Sequence, residues 1–213
     1  MTHIVEIQSP IHGRKSHKRG QGALRPLDPP PLVELNCLDE QLHNRFLFYC
    51  SSEKTVYCTA ELFRVPSPTP CASPTGEWTY YTPLGVDLDT GLPTYQLSTG
   101  SGPIPRDNVG QFGNHILHAG ASESHLLRGN QTAQAHVNPQ TGRITFAFPG
   151  LGVLQNGHYL LGYRVSVGTE SNAPIVATCL GGVFSVERAD NFQGMQAKTA
   201  LTQALKPVNV LRR

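Results

Sequence analysis

The sequence predicts an all-β fold, a sandwich of two sheets, from three observations. Apolar residues recur at period two in several short runs. Turn formers separate the runs: 21 Gly and 17 Pro in 213 residues leave little room for long helices. Helical spacing shows near the C-terminal end and hardly elsewhere. A barrel built from the same strands is the alternative.

The elements follow in order. The first strand covers residues 3–9 and stops at Pro10. Residues 10–26 read as a loop rich in Gly, His and basic side chains. In residues 32–38, Val33, Leu35 and Cys37 share one face and Glu34 and Asn36 the other, the pattern of a half-buried strand. Residues 46–50 are a further apolar run. A polar turn at 51–55 leads into a strand over 56–64, with Val56, Cys58, Ala60 and Leu62 on one face.

Residues 65–125 read as a long insertion. Eight of the 17 prolines lie between Pro66 and Pro105, among Ser, Thr and Gly, a composition that favours a surface loop or disorder over packing. Trp78, Tyr80, Tyr81 and Tyr95 are the side chains by which it would rest on the sandwich. The core of a single domain spanning 1–213 is therefore assigned to about 3–64 and 126–206.

The strands resume at 134–137, before a turn signal, Asn138-Pro139-Gln140-Thr141-Gly142. Ile144, Phe146 and Phe148 alternate inward. A second turn at Gln155-Asn156-Gly157 opens the clearest strand, 158–167, where Tyr159, Leu161, Tyr163, Val165 and Val167 share a face. Residues 175–187 form another strand, with a bulge expected at Gly181-Gly182. A short C-terminal helix covers 199–205, and Pro207 stops it.

The net charge of +2 conceals an asymmetry. Residues 1–25 carry Arg14, Lys15, Lys18, Arg19 and Arg25 against one acid, Glu6; the remainder has a slight acidic excess. A local positive field steers anionic partners. The run from Arg25 to Leu35, Arg-Pro-Leu-Asp-Pro-Pro-Pro-Leu-Val-Glu-Leu, carries Pro29, Pro30 and Pro31. Three prolines set the angle at which the basic loop leaves the next strand. A basic loop fixed to a β framework can present charge to nucleic acid, Lys and Arg to phosphates and Arg also to guanine edges. Residues 13–19 also read as a nuclear import signal.

Other function classes find less support. The five cysteines, Cys37, Cys50, Cys58, Cys71 and Cys179, are odd in number and contain no Cys-x-x-Cys pair. Free thiols in a reducing compartment are expected, with no metal and no cofactor. No signal segment opens the chain, and no apolar stretch approaches the roughly 18 residues of a membrane span. His115, His118 and His125 lie in a Gly-rich stretch without the Glu or the rigid helix of a zinc protease. Ser98, Ser101 and Ser122 lack a nucleophile elbow. An enzyme is not expected.

Four blocks, in order along the chain, carry a resemblance. The Arg25–Leu35 run, the Gln8-Ser9-Pro10 end of the first strand, the Phe146-Ala147-Phe148-Pro149-Gly150-Leu151-Gly152-Val153 block with Gly157-His158-Tyr159-Leu160-Leu161, and Val183-Phe184-Ser185-Val186 with Asn191-Phe192-Gln193-Gly194-Met195 resemble the velvet domain of fungal transcriptional regulators. The chain departs from that pattern at Gly150, Leu160 and Gly162 and in its insertion. The resemblance implies an immunoglobulin-like, Rel-like β-sandwich that binds double-stranded DNA through N-terminal basic residues. It implies a nuclear regulator of fungal development, sporulation and secondary metabolism, acting as a homo- or heterodimer with other velvet proteins. A methyltransferase-type regulator is a further partner by analogy. By position Arg25 matches the family's basic residue, while Arg14, Lys15, Lys18 and Arg19 lie in its upstream basic segment. The alternative is an interaction module that scaffolds other velvet-type regulators without touching DNA.

Overall fold

A computed structural model describes residues 2–16, 24–37, 39–51, 56–65, 122–138, 141–168, 173–195, 197 and 199–205, with the backbone of five short strands between 78 and 118. The elements up to the insertion are β1 (Thr2–Gln8), β2 (His12–Arg14), β3 (Leu27–Asp28), β4 (Leu32–Cys37), α1 (Glu40–Ser51) and β5 (Val56–Val65). Residues 78–118 contribute β6 (Trp78–Thr79), β7 (Tyr81–Val86), β8 (Pro93–Leu97), β9 (Asn108–Phe112) and β10 (His115–His118). Then come β11 (Leu127–Arg128), β12 (Thr132–Gln134), β13 (His136–Val137), β14 (Ile144–Ala147), β15 (Gly152–Val153), β16 (Gly157–Val167), β17 (Ile175–Leu180), β18 (Phe184–Glu187) and α2 (Ala200–Leu205). The fold is the all-β sandwich that the alternation predicts.

One sheet has the order β1-β4-β14-β13. The other runs β12-β5-β16-β18-β2-β3, with β17 also on β16. Period-two sequences build both sheets, so each delivers a row of apolar side chains to the space between them. Ile4, Val33, Leu35, Ile144 and Phe146 come from the first sheet; Cys58, Ala60, Leu62, Tyr159, Leu161, Tyr163 and Val165 come from the second. Phe148 and Tyr163 meet across the core with ring centroids 5.7 Å apart. The chain changes sheets at Ala135. β12 pairs with β5 on one side of that residue and β13 with β14 on the other, so the strand expected at 134–137 is two short strands at a corner.

Two expected features take a different form. The apolar run 46–50 lies in a helix. The Asp39 carboxylate accepts a hydrogen bond from the Gln41 amide at 2.8 Å, an N-cap that satisfies one of the free donors of the first turn. Leu42, Phe46, Tyr49 and Cys50 then recur at helical spacing and pack against the core, while Phe48 faces outward. Five consecutive apolar residues conceal that period. The loop expected over 10–26 contains β2, which lies parallel to β18. Its partner is about 170 residues away, so no local pattern announces it.

The break between β17 and β18 falls at the expected Gly181-Gly182 site, and a carboxylate fills it. Glu6 on β1 accepts hydrogen bonds from the Gly182 amide at 2.7 Å, from the Tyr163 hydroxyl and from the Ser9 hydroxyl. A β-carbon at residue 181 would stand 2.5 Å from Glu6 Oε1. Glu6 therefore ties the edge of one sheet to the centre of the other. Burial pushes its carboxyl above the ordinary value of 4.5, against the opposing pull of its three donors.

A second polar lock joins α2 to the N-terminal strand. Gln8 donates to the Pro30 carbonyl at 2.7 Å and to the Thr202 hydroxyl at 3.0 Å. Thr199 donates to the Gln8 side-chain oxygen, and its own hydroxyl accepts from the Thr202 amide at 3.0 Å, capping α2.

The Glu6 site carries a pH signature. The folded state binds its proton more tightly than the unfolded state does. This contribution to stability is complete below pH 4.5 and is lost as pH rises through the folded-state value. Urea denaturation of Glu6→Gln should lack that component, so its loss of stability as pH rises above 4.5 should be shallower than wild type. Tyr163→Phe, which removes one donor, should cost about 1–3 kcal/mol at neutral pH.

Candidate nucleic-acid interface

The basic loop leaves the second sheet at the end of β2 and returns into β3, which pairs antiparallel with β2. Its root is pinned by three backbone hydrogen bonds to two neighbouring segments. Lys15 donates its amide to the Glu187 carbonyl at 2.8 Å, Ser16 donates to Val153 at 2.8 Å, and Leu27 donates to Leu151 at 2.7 Å. Ser16, 3% exposed, closes the loop from within: its hydroxyl oxygen accepts the Arg25 amide at 3.1 Å. Gly152 lies beneath this closure. A β-carbon there would stand 2.5 Å from the Arg25 carbonyl oxygen and 2.8 Å from Ser16 Oγ. The loop can seat itself only over a residue without a side chain.

Three of the five expected cations are placed by this root. Arg14 and Lys15 lie on the outgoing limb and Arg25 on the returning one; Lys15 is exposed and the two arginines are half-buried. Their side chains have no carboxylate partner among the described residues. Lys18 and Arg19 fall outside the described residues. Three arginines elsewhere are neutralised: Arg64 pairs with Glu123 at 3.1 Å, Arg143 with Glu34 at 3.4 Å, and Arg164 with Glu61. Arg45, exposed on α1, has no carboxylate partner among the described residues but stands alone on its helix, whereas Arg14, Lys15 and Arg25 lie together at the loop root.

Pro29, Pro30 and Pro31 stand between β3 and β4. Pro29 and Pro31 are buried, and the Asp28–Pro29 peptide is cis. The Pro31 carbonyl accepts from the Phe148 amide at 3.0 Å, and Pro30 is held by Gln8. The run is thus part of the wall of the sandwich as well as the way out of the loop. His12, in β2, lies 3.6 Å from Asp28 and meets Phe192 edge-on at 5.4 Å, so it belongs to the root and not to the exposed surface.

Sequence reading missed two arginines that topology brings to the same place. Arg128 on β11 pairs in register with Gly152, and Arg188 follows directly on the end of β18. Both are more than 100 residues from the loop along the chain, and only the pairing of β15 and β18 with its root reveals them.

The described cysteines do not suit nucleophilic chemistry. Burial pushes the Cys37, Cys58 and Cys179 thiols above their ordinary value and Cys50 to about 11, which holds all four in the unreactive thiol form at neutral pH. Cys71 lies outside the described residues. Among the described residues no three His, Cys, Asp or Glu side chains gather as metal ligands, and the side chains of His115 and His118 are not among those described.

A family model described as Velvet factor matches residues 2–210. A probable velvet family sexual development regulator of Laccaria bicolor is 27% identical over an alignment that takes in 95% of this chain and 66% of that protein. One of Schizophyllum commune is 27% identical over 97% of this chain and 69% of that protein. One of Coprinopsis cinerea is 39% identical over a shorter stretch, 29% of this chain and 41% of that protein. The chain thus spans about two thirds of the length of the first two.

The root geometry predicts the outcome of filling the space at residue 152. Gly152→Val should displace Ser16 and Arg25, lower stability by about 1–3 kcal/mol, and accelerate amide exchange at Ser16, Arg25 and Leu27. Hydrogen–deuterium exchange read by mass spectrometry checks it, with the amides of β16 as the unaffected reference.

Proposed function

The chain belongs to the velvet family, and from that premise we propose that it is a sequence-specific DNA-binding regulator of transcription. One observation carries the reading: Arg14, Lys15 and Arg25 have no carboxylate partner among the described residues and stand on a loop whose root is fixed by backbone hydrogen bonds to two neighbouring segments, 151–153 and the end of β18. Charges so placed lose little freedom on binding a polyanion, which is what phosphate contacts require. Lys18 and Arg19 extend the same loop. The guanidinium of Arg25, the residue that matches the family position, suits the paired acceptors of a guanine edge. Pro29, Pro30 and Pro31 set the direction in which the loop projects. The regulated processes, on the precedent of the relatives' names, are those of fungal sexual development; sporulation and secondary metabolism belong to the same proposal. The protein acts in the nucleus, as a homo- or heterodimer with other velvet proteins. A methyltransferase-type regulator is a further partner, and the chain regulates without catalysing a reaction.

A second reading rests on the outer face of α1. Phe48 is 65% exposed, its ring centroid 6.3 Å from that of the core-packed Tyr49, and an exposed aromatic side chain suits a protein partner. Under that reading the domain scaffolds other velvet regulators and the basic loop is incidental.

A gel-shift series separates the two. With Arg14, Lys15, Lys18, Arg19 and Arg25 all changed to Ala, DNA affinity should fall by at least tenfold, and the slope of log K against log salt should shrink by about 0.9 for each lost phosphate contact. Unaltered binding in that variant overturns the DNA reading. Changing the three prolines to Ala, in protein shown to be folded by circular dichroism, should weaken binding without reducing the salt slope.

A further inference from the structure

Four chain segments lie side by side around the loop root. β2 runs parallel to β18 with Arg14 opposite Glu187, so Lys15 and Arg188 are the next pair outward. On the other side, Ser16 bonds to Val153 of β15, and β15 pairs with β11 so that Arg128 lies opposite Gly152, the residue beneath Arg25. Neighbouring strands are about 4.8 Å apart. The three steps from β11 through β15 and the loop root to β18 therefore span roughly 14 Å. Arg128 stands at one end of this row and Arg188 at the other, with Arg14, Lys15 and Arg25 between them.

The two outer arginines are exposed and have no carboxylate partner among the described residues. Arg128 spends one nitrogen on the His125 and Leu127 carbonyls, at 3.1 and 3.0 Å, which steadies the guanidinium and leaves its charge unneutralised. The Arg188 side chain has no described partner, and its carbonyl caps the turn through the Asn191 and Phe192 amides. Glu187 and Asp190 are the acids of this strand and turn, fewer than the five cations of the row. Like charges on adjacent strands repel, so the arrangement suits a bound polyanion. The groove of a DNA duplex, about 12 Å across on its major side, is bordered by two phosphate rails.

We propose that Arg128 and Arg188 are phosphate-contacting residues that flank the basic loop and engage opposite rails of the groove the loop enters. This rests on the DNA-binding reading and adds to it two contacts far away in sequence. Their role is positional: they fix the angle of the sandwich on the duplex, and their effect is the same for every base sequence.

Fluorescence anisotropy with duplex DNA, over a salt series, tests it. Arg128→Gln and Arg188→Gln should each reduce the salt slope by about 1, and weaken binding roughly 3- to 10-fold at fixed salt, equally for different sequences. Arg188→Lys should retain most of the affinity. Arg45→Gln, which removes an exposed cation from α1, should change nothing. Because Arg128 also holds two carbonyls, thermal denaturation accompanies that variant; if it is destabilised, Arg188→Gln alone decides. Slopes for Arg188→Gln indistinguishable from wild type and Arg45→Gln, while Lys15→Gln/Arg25→Gln still weakens binding, overturn this inference and leave the DNA reading intact. Wild-type protein that ignores DNA, or binding insensitive to the loop variant, overturns both.

Discussion

The short parallel pairing of β2 with β18 is the constraint on which the interface depends. Three residues of β2 have few side-chain contacts with which to hold a position. What fixes them is the edge of a sheet whose central strand, β16, is buried along most of its length. From that edge the Lys15 amide is aligned, Ser16 is directed inward, and the returning limb closes onto the Ser16 hydroxyl. The cations inherit their placement from backbone hydrogen bonds, the least adjustable interactions in the structure.

The sandwich is locked by polar groups as well as by its apolar core. Glu6 fills the break between β17 and β18, and Gln8, two residues further along the same strand, binds both the proline run and α2. β1 thus carries two buried polar side chains with opposite tasks, one facing the second sheet and one facing the C-terminal helix. Each is satisfied by several donors or acceptors, so the desolvation cost of burying it is largely offset. A slip of one residue in β1 would send both to the wrong side.

How much of this was legible in the sequence depends on the range of the interaction. Elements made by local periodicity were readable: β4, β5, β14 and β16 fall where alternation puts them; Gly181-Gly182 marks an interruption, which is a break between two strands where a bulge in one was expected. Thr199 and the spacing after it announce α2. α1 was hidden because Phe46 to Cys50 is apolar without a gap, and its signal lay instead in Asp39 and in the spacing from Leu42. β2 was hidden for a different reason, since its sequence, His-Gly-Arg, has no strand character and its conformation is imposed by β18. The same holds for the site. A cluster of cations within 12 residues of one another is visible at once; Arg128 and Arg188 join it only through strand pairing. No sequence pattern could say why Gly152 has no side chain, because the carbonyl it must admit belongs to Arg25.

The partnership of β2 with β18 also sets an order of events during synthesis. When the basic loop leaves the ribosome, the edge that will hold it does not yet exist. About 170 more residues must be made before β18 can offer that edge. Throughout this interval the most highly charged part of the chain is an unstructured cation-rich segment, free to associate with any polyanion nearby. Its own late strand is what withdraws it into a defined shape. Pairings this distant are slow to form, so the loop is among the first segments to be made and among the last to be finished.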